Sequence, residues 1–387
     1  MAVTPDQTPA APAGLAARAR PTICLCMIVK NEARVLARCL ESVRGLIDYW
    51  VISDTGSTDG TQDLVRRLLA DVPGELHESE WRDFGHNRTE NIGRAAGRAD
   101  YLLLVDADMV VRVDAALPAL THDSYLLRHP GDSEYRVKRL VRGDLPWRYE
   151  GVTHEYLTCD SADGSANLDA LVVEHFADGG SRADKFERDE RLLTAAFERN
   201  PDDTRTVFYL AQTCRDLGDT ERALRLYERR AEMGGWAEEV YFSLLQAGVL
   251  RAGSGDLGGG IDVLTRAWQA RPDRLEACYE LASRLRVAGR YRAAHAFAAT
   301  ALASPRPPAE DVLFVWPWVY RWGLLFEYSI TAYWTGDFRA SLDACDRLLS
   351  DDGLPARYRE QTVKNREFAL ARLGIPSPVL ARVRERV

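Results

Sequence analysis

The chain has 387 residues, 46% of them apolar, and a formal net charge of −8 at pH 7. This length predicts about two domains with ordinary cores, and the acidic balance argues against a general nucleic-acid binder, which normally has a basic face. The seven cysteines are scattered without the paired spacing of a zinc site, as expected of buried thiols in a reducing compartment. No apolar run approaches the roughly 18 residues of a transmembrane segment, so we expect a cytoplasmic protein.

The first part of the chain alternates strand and helix patterns. Residues 1–20 are rich in alanine and proline and are predicted to be a flexible leader. Beyond them the patterns predict strands at 22–29, 49–53 and 101–106 and helices at 33–43 and 61–70. This order predicts an α/β domain with a mostly parallel sheet, which ends near residues 177–180.

From residue 181 to residue 387 the sequence shows only helical patterns. Turn glycines recur 35 and 36 residues apart, which is close to the period of a tetratricopeptide array: Gly218, Gly253 and Gly289. A related pattern returns at Gly336, after an insertion rich in proline at 305–308. We expect the Ala, Leu and Tyr stripes to form the core and any binding function to lie on the concave surface of the stack.

Two carboxylates, Asp106 and Asp108, follow the apolar run that begins at Tyr101. Because side chains two apart in an extended segment project to one side, both can reach one point beyond the strand. Carboxylates suit Mg²⁺ or Mn²⁺, which are commonly held together with the phosphates of a substrate. The pattern favours a nucleotide-linked donor, although a polar turn or a helix cap is the alternative.

Two further polar segments fall at the ends of predicted strands. In one, a carboxylate could accept the ring N–H of uracil or guanine, and the hydroxyls and backbone amides could bind phosphate or simply cap the next helix. Its residues are Asp54, Ser57 and Asp59. The other segment lies at the mouth of the first strand, at the same edge of the sheet, and consists of Lys30, Asn31 and Glu32.

Together with the segment from Glu80 to Arg88, the order and spacing of these motifs resemble the family 2 glycosyltransferases of GT-A fold. The chain is most similar to the bacterial branch in which tetratricopeptide repeats follow the catalytic domain, which includes peptide S- and O-glycosyltransferases. The resemblance covers about residues 22–350. It implies a Rossmann-like GT-A domain at 21–180 and an all-α domain of tetratricopeptide-like repeats at 181–387.

The resemblance also implies roles for single residues in the donor site. Glu32 and Asp54 would contact the nucleoside, Asp106 the ribose and the metal shell, and Asp108 the metal itself. The rest of the implied donor site consists of Lys30, Asn31, Ser57, Asp59, Asn87 and Arg88. Taken alone, Asn87 and Arg88 would more often be a helix start and a solvated charge.

His175, at the end of an apolar run, matches the position at which the family places a third metal ligand, although a structural role is the alternative. Residues 181–185 have the form of a capping box, and Lys185 could help to close a lid over the diphosphate, although an ordinary helix start is the alternative. On the acceptor side the resemblance favours Glu155 as the catalytic base, with Glu150 and His154 as alternatives. Trp147 and Tyr149 could stack on a sugar ring or belong to the core.

These patterns and the resemblance predict a metal-dependent inverting glycosyltransferase of the hexosyltransferase type. The donor would be a UDP-sugar or GDP-sugar, the cofactor Mg²⁺ or Mn²⁺, and the acceptor a peptide Cys, Ser or Thr bound by the repeats. Two alternatives stay open: a glycan or lipid-linked acceptor, and an inactive nucleotide-binding scaffold whose repeats recruit a partner. We also expect that the repeats can form a homodimer.

Overall fold

The computed structural model describes residues 20–130, 135–179, 185–303 and 311–376. Contacts divide the chain into two compact units, Met1–Arg188 and Asp189–Val387. The predicted leader lies outside the described residues except for Arg20, whose guanidinium is 2.9 Å from the carboxylate of Asp48. Most of the insertion around residues 305–308 and of the predicted lid also lies outside them.

The first unit alternates strands and helices as predicted, and its α/β class is confirmed. In chain order its described elements are β1 (Ile23–Val29), α1 (Leu36–Val43), β2 (Tyr49–Asp54), α2 (Thr61–Leu68), β3 (Gly74–Glu78), α3 (Phe84–Ala95), β4 (Tyr101–Leu104), β5 (Met109–Val113), β6 (Ser124–His129), β7 (Tyr135–Arg142), β8 (Arg148–Glu150), β9 (Tyr156–Thr158) and β10 (Ser165–His175).

Eight of these strands form one sheet in the order β3-β2-β1-β4-β7-β6-β10-β5, and β8 and β9 form a separate ribbon. The pairs β2–β3, β1–β2, β1–β4 and β6–β10 are parallel, whereas β7 is antiparallel to both β4 and β6, and β5 is antiparallel to β10. Strands β1 to β4, β6 and β10 therefore point in the same direction. Their carboxyl ends share one edge, where open α/β sheets bind ligands.

Helices cover both faces of the sheet because the central strands are apolar on both sides. Along β1, Leu25 and Met27 join one core cluster together with Leu36 of α1, whereas Cys24 and Cys26 join another on the side of α3. Each fully buried aliphatic side chain of this kind contributes about 1.5–3 kcal/mol.

Helix α1 begins three residues later than the predicted start at residue 33. Asn31 has a positive φ of 55°, and the backbone amide of Ala33 donates a hydrogen bond to Asp59 (3.0 Å) instead of entering a helix. The amides of Val35 and Leu36 bond the carbonyl oxygen of Glu32. The segment after β1 is thus a turn that carries polar side chains.

Strand β7 contains an extra residue. Leu140 pairs with Tyr125 of β6, but the next residue of β6, Leu126, pairs with Lys138. Arg139 therefore lies in a β-bulge, a device that redirects a side chain.

The second unit is helical, as predicted. Its described helices are α4 (Lys185–Arg199), which begins just before the division, α5 (Thr204–Asp216), α6 (Thr220–Glu232), α7 (Ala237–Gly253), α8 (Leu257–Ala270), α9 (Glu276–Val287), α10 (Tyr291–Leu302), α11 (Leu324–Thr335), α12 (Phe338–Leu349) and α13 (Ala356–Leu373), with a π-helical turn at Val319–Gly323. From α5 onward each helix packs on the next, and α9 also contacts α7 and α11. The first helices of successive hairpins therefore share one face.

Glycines with positive φ end the first helix of each hairpin, where the left-handed conformation suits glycine best. They are Gly218, Gly255, Gly289 and Gly336, with φ values of 84°, 95°, 72° and 93°. The prediction of Gly253 as a turn residue was wrong, because Gly253 is the last residue of α7. An aspartate follows three of these glycines and caps the second helix through its side chain.

Among the described helices, none combines the length and the apolar composition that crossing a membrane requires.

Candidate functional site

Polar side chains from five parts of the chain lie at the carboxyl edge of the sheet. They follow or end β1, β2, β4, β6 and β10 and include Asn31, Asp54, Asp106, His129 and His175. Because these strands are parallel to one another, residues far apart in sequence meet at this edge.

Asp54 is buried, and only one of its two carboxylate oxygens accepts hydrogen bonds from the described residues. It is 1% exposed, and its Oδ1 accepts hydrogen bonds from the amides of Gly56 (2.9 Å) and Ser57 (2.8 Å) and from the Nε2 of Gln62 (3.0 Å). Its Oδ2 is buried and has no hydrogen-bond partner among the described residues. Since a buried acceptor of this kind is costly, the geometry suits a ligand N–H.

The other polar residues of these two loops mainly fix the loops to each other. The amide of Asn31 donates to the hydroxyl of Ser57 (2.8 Å), and the amide of Thr58 donates to Oδ1 of Asn31 (2.8 Å). Asp59 accepts from Ala33 and, at 2.6 Å, from the hydroxyl of Thr61. Lys30 is exposed. Ser57 and Asp59 thus connect the two loops, and neither is the N-cap residue of α2, which is Gly60. Their part in a donor site stays a prediction.

Arg88 lies between two of the predicted site carboxylates. Its Nη2 is 2.6 Å from Oδ1 of Asp106, and its Nε is 2.8 Å from Oε1 of Glu155. Its guanidinium carbon is 5.6 Å from the centre of the Tyr149 ring. The Arg88 side chain is 15% exposed, so little water screens these contacts.

The packing of α3 against the β8–β9 ribbon creates this network. Asp83 caps the helix by accepting a hydrogen bond from the amide of His86 (2.7 Å), and the hydroxyl of Thr89 accepts one from the amide of Tyr149 (2.9 Å). A Cβ on Gly85 would lie 2.2 Å from the carbonyl oxygen of Gly151, so glycine is required there. The close approach places Arg88 beside the loop that carries Glu155.

Charge pairing controls the protonation of these groups. Burial would raise the pKa of Asp106, but the guanidiniums of Arg88 and Arg139 hold it at about 2. Burial would lower the pKa of Arg88, but the charges of Asp106 and Glu155 raise it above its usual value. Burial raises the pKa of Tyr149 to about 12. Asp106 and Arg88 are therefore ionised near neutrality.

Sequence reasoning missed Arg139 and His129. Arg139, in the bulge of β7, reaches within 3.6 Å of Asp106 and donates a hydrogen bond to the carbonyl oxygen of Leu104 (3.3 Å). No sequence pattern marks a bulge. His129 ends β6 and is 2% exposed, and its two ring nitrogens have no hydrogen-bond partner among the described residues. Burial lowers the pKa of His129 to about 4. The sequence signal that could have identified His129 is its position as a polar residue at the end of an apolar strand.

The predicted metal ligands are only partly brought together. Nε2 of His175 is 3.2 Å from Oδ2 of Asp108, whereas Asp106 is engaged by arginines. A Cβ on Gly179 would lie 3.2 Å from one carboxylate oxygen each of Asp108 and Glu32. The described residues contain no group of three His, Cys, Asp or Glu close enough to hold a metal ion as they stand. Two carboxylates and an imidazole in one corner nevertheless have the chemistry that Mn²⁺ accepts.

The polar atoms of three further residues that the sequence suggested for the site already have partners in the first unit. Asn87 is fully buried and bridges the loop before α3, donating to the carbonyl oxygen of Glu80 (2.9 Å) and accepting from the amide of Arg82 (3.0 Å). Trp147 is a core residue whose Nε1 donates to the carbonyl oxygen of Arg142 (3.1 Å). Glu150 pairs with Arg148 and accepts a hydrogen bond from the hydroxyl of Tyr156.

His154 and Lys185 lie at exposed positions. His154 has a φ of 51° in the loop between β8 and β9, directly before Glu155. Lys185 is the first residue of α4, with its ammonium 5.9 Å from the centre of the Phe186 ring. Residues 181–184 of the predicted lid lie outside the described part of the chain.

The fold and the site define a protein of two parts, an α/β domain with polar residues at the carboxyl edge of its sheet and an array of helical hairpins. Residues 24–122 match the family model described as "Glycosyl transferase family 2". The first unit therefore contains a domain of this family.

Three comparisons illustrate the relationship. A TPR repeat-containing protein of Synechococcus elongatus is 26% identical over 297 residues, which cover 70% of this chain and 71% of that protein. The SPbeta prophage-derived glycosyltransferase SunS of Bacillus subtilis is 26% identical over 149 residues, so the match spans 35% of this chain and 34% of SunS. The match to the crystal structure of MamA covers 50% of this chain and 92% of that chain at 16% identity, with a TM-score of 0.34. The predicted combination of a family 2 domain with tetratricopeptide-like repeats is confirmed.

Proposed function

We propose that the protein is a metal-dependent, inverting glycosyltransferase that moves a hexose from a nucleotide sugar to an acceptor. One observation carries the proposal: Asp54 and Asp108, within the stretch that matches family 2, and His175, beyond that stretch, lie at the carboxyl edge of one sheet. Open α/β sheets bind nucleotides at such an edge. The match to SunS, a glycosyltransferase by name, supports the reaction class.

On the donor side, Oδ2 of Asp54 would accept the ring N–H of uracil or guanine, since it is buried and has no partner among the described residues. Asp108 and His175, with Glu32 beside them, would hold Mg²⁺ or Mn²⁺. A bound divalent cation neutralises the charge that develops on a leaving diphosphate. Arg88 supplies a fixed positive charge at the same edge.

On the acceptor side, Glu155 would take the proton of the attacking hydroxyl or thiol. Inversion requires a base on the face opposite the leaving nucleotide. Arg88, 2.8 Å from Oε1 of Glu155, orients this carboxylate. Glu150 is the weaker alternative because Arg148 and Tyr156 already engage it, whereas His154 is next to Glu155 in an exposed turn and stays a candidate.

For the acceptor we favour a Cys, Ser or Thr of a peptide, because a stack of helical hairpins offers an extended surface for one. A glycan or a lipid-linked acceptor would use the same chemistry at Glu155. Incubation of the protein with UDP-sugars or GDP-sugars, Mn²⁺ and peptide or glycan acceptors, followed by mass spectrometry, distinguishes them by which acceptor gains the mass of a hexose.

A nucleotide-binding scaffold without activity is the second candidate. The observation in its favour is that Asp106 is paired with two arginines, which leaves it poorly placed as a metal ligand. Release of the nucleoside diphosphate from a nucleotide sugar would refute the scaffold, and binding without release would support it.

The decisive experiment is thermal unfolding with UDP, GDP and their sugars, each with and without Mn²⁺. A ligand at 100 times its Kd adds about 2.7 kcal/mol to the stability of the folded state. We expect one nucleotide to raise the Tm in a Mn²⁺-dependent way, and Asp108→Ala to abolish the Mn²⁺ dependence. Asp63→Ala, in the exposed part of α2, serves as the matched control. If no nucleotide changes the Tm, the proposal is wrong.

A further inference from the structure

A short turn at residues 176–179 follows β10 and lies against Asp108. Asp108 binds the turn at both ends: its carbonyl oxygen accepts a hydrogen bond from the amide of Phe176 (3.1 Å), and its Oδ2 accepts one from the amide of Gly179 (3.4 Å). The same Oδ2 lies 3.2 Å from Nε2 of His175, the last residue of β10. The position of the His175 ring beside Asp108 is therefore coupled to the conformation of the 176–179 turn.

Backbone preference and core burial do not account for the conformation of this turn. Ala177 has a φ of 58°, in the left-handed region that is unfavourable for a residue with a Cβ. Phe176 is 48% exposed, so its ring does not anchor the turn in the core. A backbone of this kind persists only where surrounding contacts hold it.

Two arginines at the start of α1 supply such contacts. Arg38 forms a bidentate pair with the carboxylate of Asp178, with distances of 2.7 and 3.2 Å. Its guanidinium carbon also lies 4.0 Å from the centre of the Phe176 ring. Nη2 of Arg34 donates a hydrogen bond to the carbonyl oxygen of Asp178 (2.9 Å). A planar guanidinium suits both uses of Arg38, because it can pair with a carboxylate through two N–H groups and stack on an aromatic ring.

Helix α1 is a firm support for these contacts because its opposite side is packed into the first unit. Its buried residues are Leu36, Cys39, Leu40 and Val43. The thiol of Cys39 donates to the carbonyl oxygen of Asp106 (3.4 Å), and the hydroxyl of Ser42 accepts a hydrogen bond from the amide of Val111 in β5 (3.0 Å). The helix that carries Arg38 is thus joined to the segment on both sides of Asp108.

We propose that Arg38, acting through Asp178, is a positioning residue for the metal site, which fixes the 176–179 turn so that His175 stays beside Asp108. This inference rests on the metal site of the proposed function and extends it to residues that do not bind the ion. Arg38 itself cannot be a ligand, because a guanidinium has no acceptor. Removal of groups that orient metal ligands typically lowers metal affinity by about 10–100-fold.

The effect of position can be separated from the effect of charge. Removal of Arg38 alone would leave the carboxylate of Asp178 unpaired close to Asp108, and by Coulomb attraction this would strengthen the binding of a cation. The double variant Arg38→Met with Asp178→Asn removes one charge of each sign, so the net charge is unchanged while the contact is lost. A loss of metal affinity in this double variant is therefore expected from positioning and not from charge.

The test uses the full chain and MnCl₂ as the probe, with free Mn²⁺ measured by electron paramagnetic resonance. We expect the double variant to bind Mn²⁺ at least about tenfold more weakly than the wild type. The matched control is Arg44→Met with Asp71→Asn, which removes an ion pair (2.5 Å) at the other end of α1 and should keep the wild-type Kd. Hydrogen exchange of the metal-free proteins should be faster at the amides of Phe176 and Gly179 in the double variant but not in the control.

The double variant should fold, because the side chains of Arg38 and Asp178 are 35% and 37% exposed and such pairs contribute little to stability. If circular dichroism shows otherwise, Arg38→Lys replaces it, since lysine keeps the charge but cannot make the bidentate contact. If the wild type binds Mn²⁺ and the variant binds it equally well, the positioning role of Arg38 is refuted and the metal site is retained. If the wild type binds no Mn²⁺, the metal site of the proposed function is wrong, and so is the role of Arg38.

Discussion

Replacing Arg88 by methionine tests the network at the edge of the sheet. The substitution keeps an apolar stem of similar length but removes the charge that lies 2.6 Å from Asp106 and 2.8 Å from Glu155. The pKa of Asp106 is lowered from 3.8 to about 2, and one unit corresponds to about 1.36 kcal/mol. The variant also leaves two carboxylates poorly compensated, so we expect the free energy of unfolding at neutral pH to fall by about 2–4 kcal/mol.

The loss of stability in the Arg88 variant should depend on pH, because the charge of Asp106 does. A carboxylate with a lowered pKa in the folded state contributes stability that is fully present above its unfolded pKa, 3.8 for Asp106, and is lost as the pH falls toward about 2. The difference in the free energy of unfolding between the wild type and Arg88→Met should therefore reach its full size near pH 7 and should become smaller below about pH 4.

Urea unfolding followed by tryptophan fluorescence measures this difference at each pH. Arg66→Met is the matched control, because Arg66 pairs with Asp63 on the surface of α2, where both side chains are more than half exposed. Such a pair contributes less than about 1 kcal/mol. If Arg88→Met is no more destabilising than Arg66→Met, or if its effect does not change with pH, the description of Arg88 as a buried bridge is refuted.

Three further outcomes are expected. Asp54→Asn replaces one carboxylate oxygen by an N–H donor and should weaken nucleotide binding at least about tenfold, as measured by calorimetry. The free energy of unfolding should fall by less than about 2 kcal/mol. An unchanged affinity would show that Asp54 is not part of the donor site. His129 has a pKa of about 4 in the fold, so wild-type stability should fall by up to about 3 kcal/mol as the pH drops from about 6.5 to about 4, and His129→Leu should abolish this slope in urea titrations. An unchanged slope would show that His129 is not buried in its neutral form. Glu276→Gln removes the nearest of three carboxylates that compensate fully buried Arg274, the others being Asp311 at 3.4 Å and Glu238 at 3.8 Å. It should lower the free energy of unfolding by about 2–3 kcal/mol, and a loss below about 1 kcal/mol would show that the pair is not needed.

The sequence predicts the parallel half of the sheet well because its strands are apolar on both faces. Cys24 and Leu25, for example, are buried in opposite core clusters. The second half is harder to predict because charged residues such as Arg136 and Arg142 interrupt β7, and one of its two partner strands, β4, is separated from it in sequence by β5 and β6. In the helical unit the period was correct, but only the backbone shows that Gly255 makes the turn.

The sequence likewise locates some residues of the candidate site and not others. Strand ends locate Asp54 and Asp106, because a polar residue after an apolar run shows where a strand leaves the core. Trp147 and Asn87 match the expected residue types, yet their polar atoms bond the backbone of the first unit. A sequence pattern does not distinguish a side chain that binds a ligand from one that bonds the backbone, since both roles require the same residue type. Arg139 depends on the pairing of β7 with its neighbours, which no local pattern contains.

The bulge in β7 makes this edge sensitive to the length of the strand as well as to its side chains. Deletion of Arg139 would leave Lys138 opposite Leu126 and Leu140 opposite Tyr125, so the pairing of β6 with β7 would become regular and the other side chains of β7 would keep their faces. A single codon lost from this strand would thus remove one guanidinium from Asp106 and leave the rest of the strand in place.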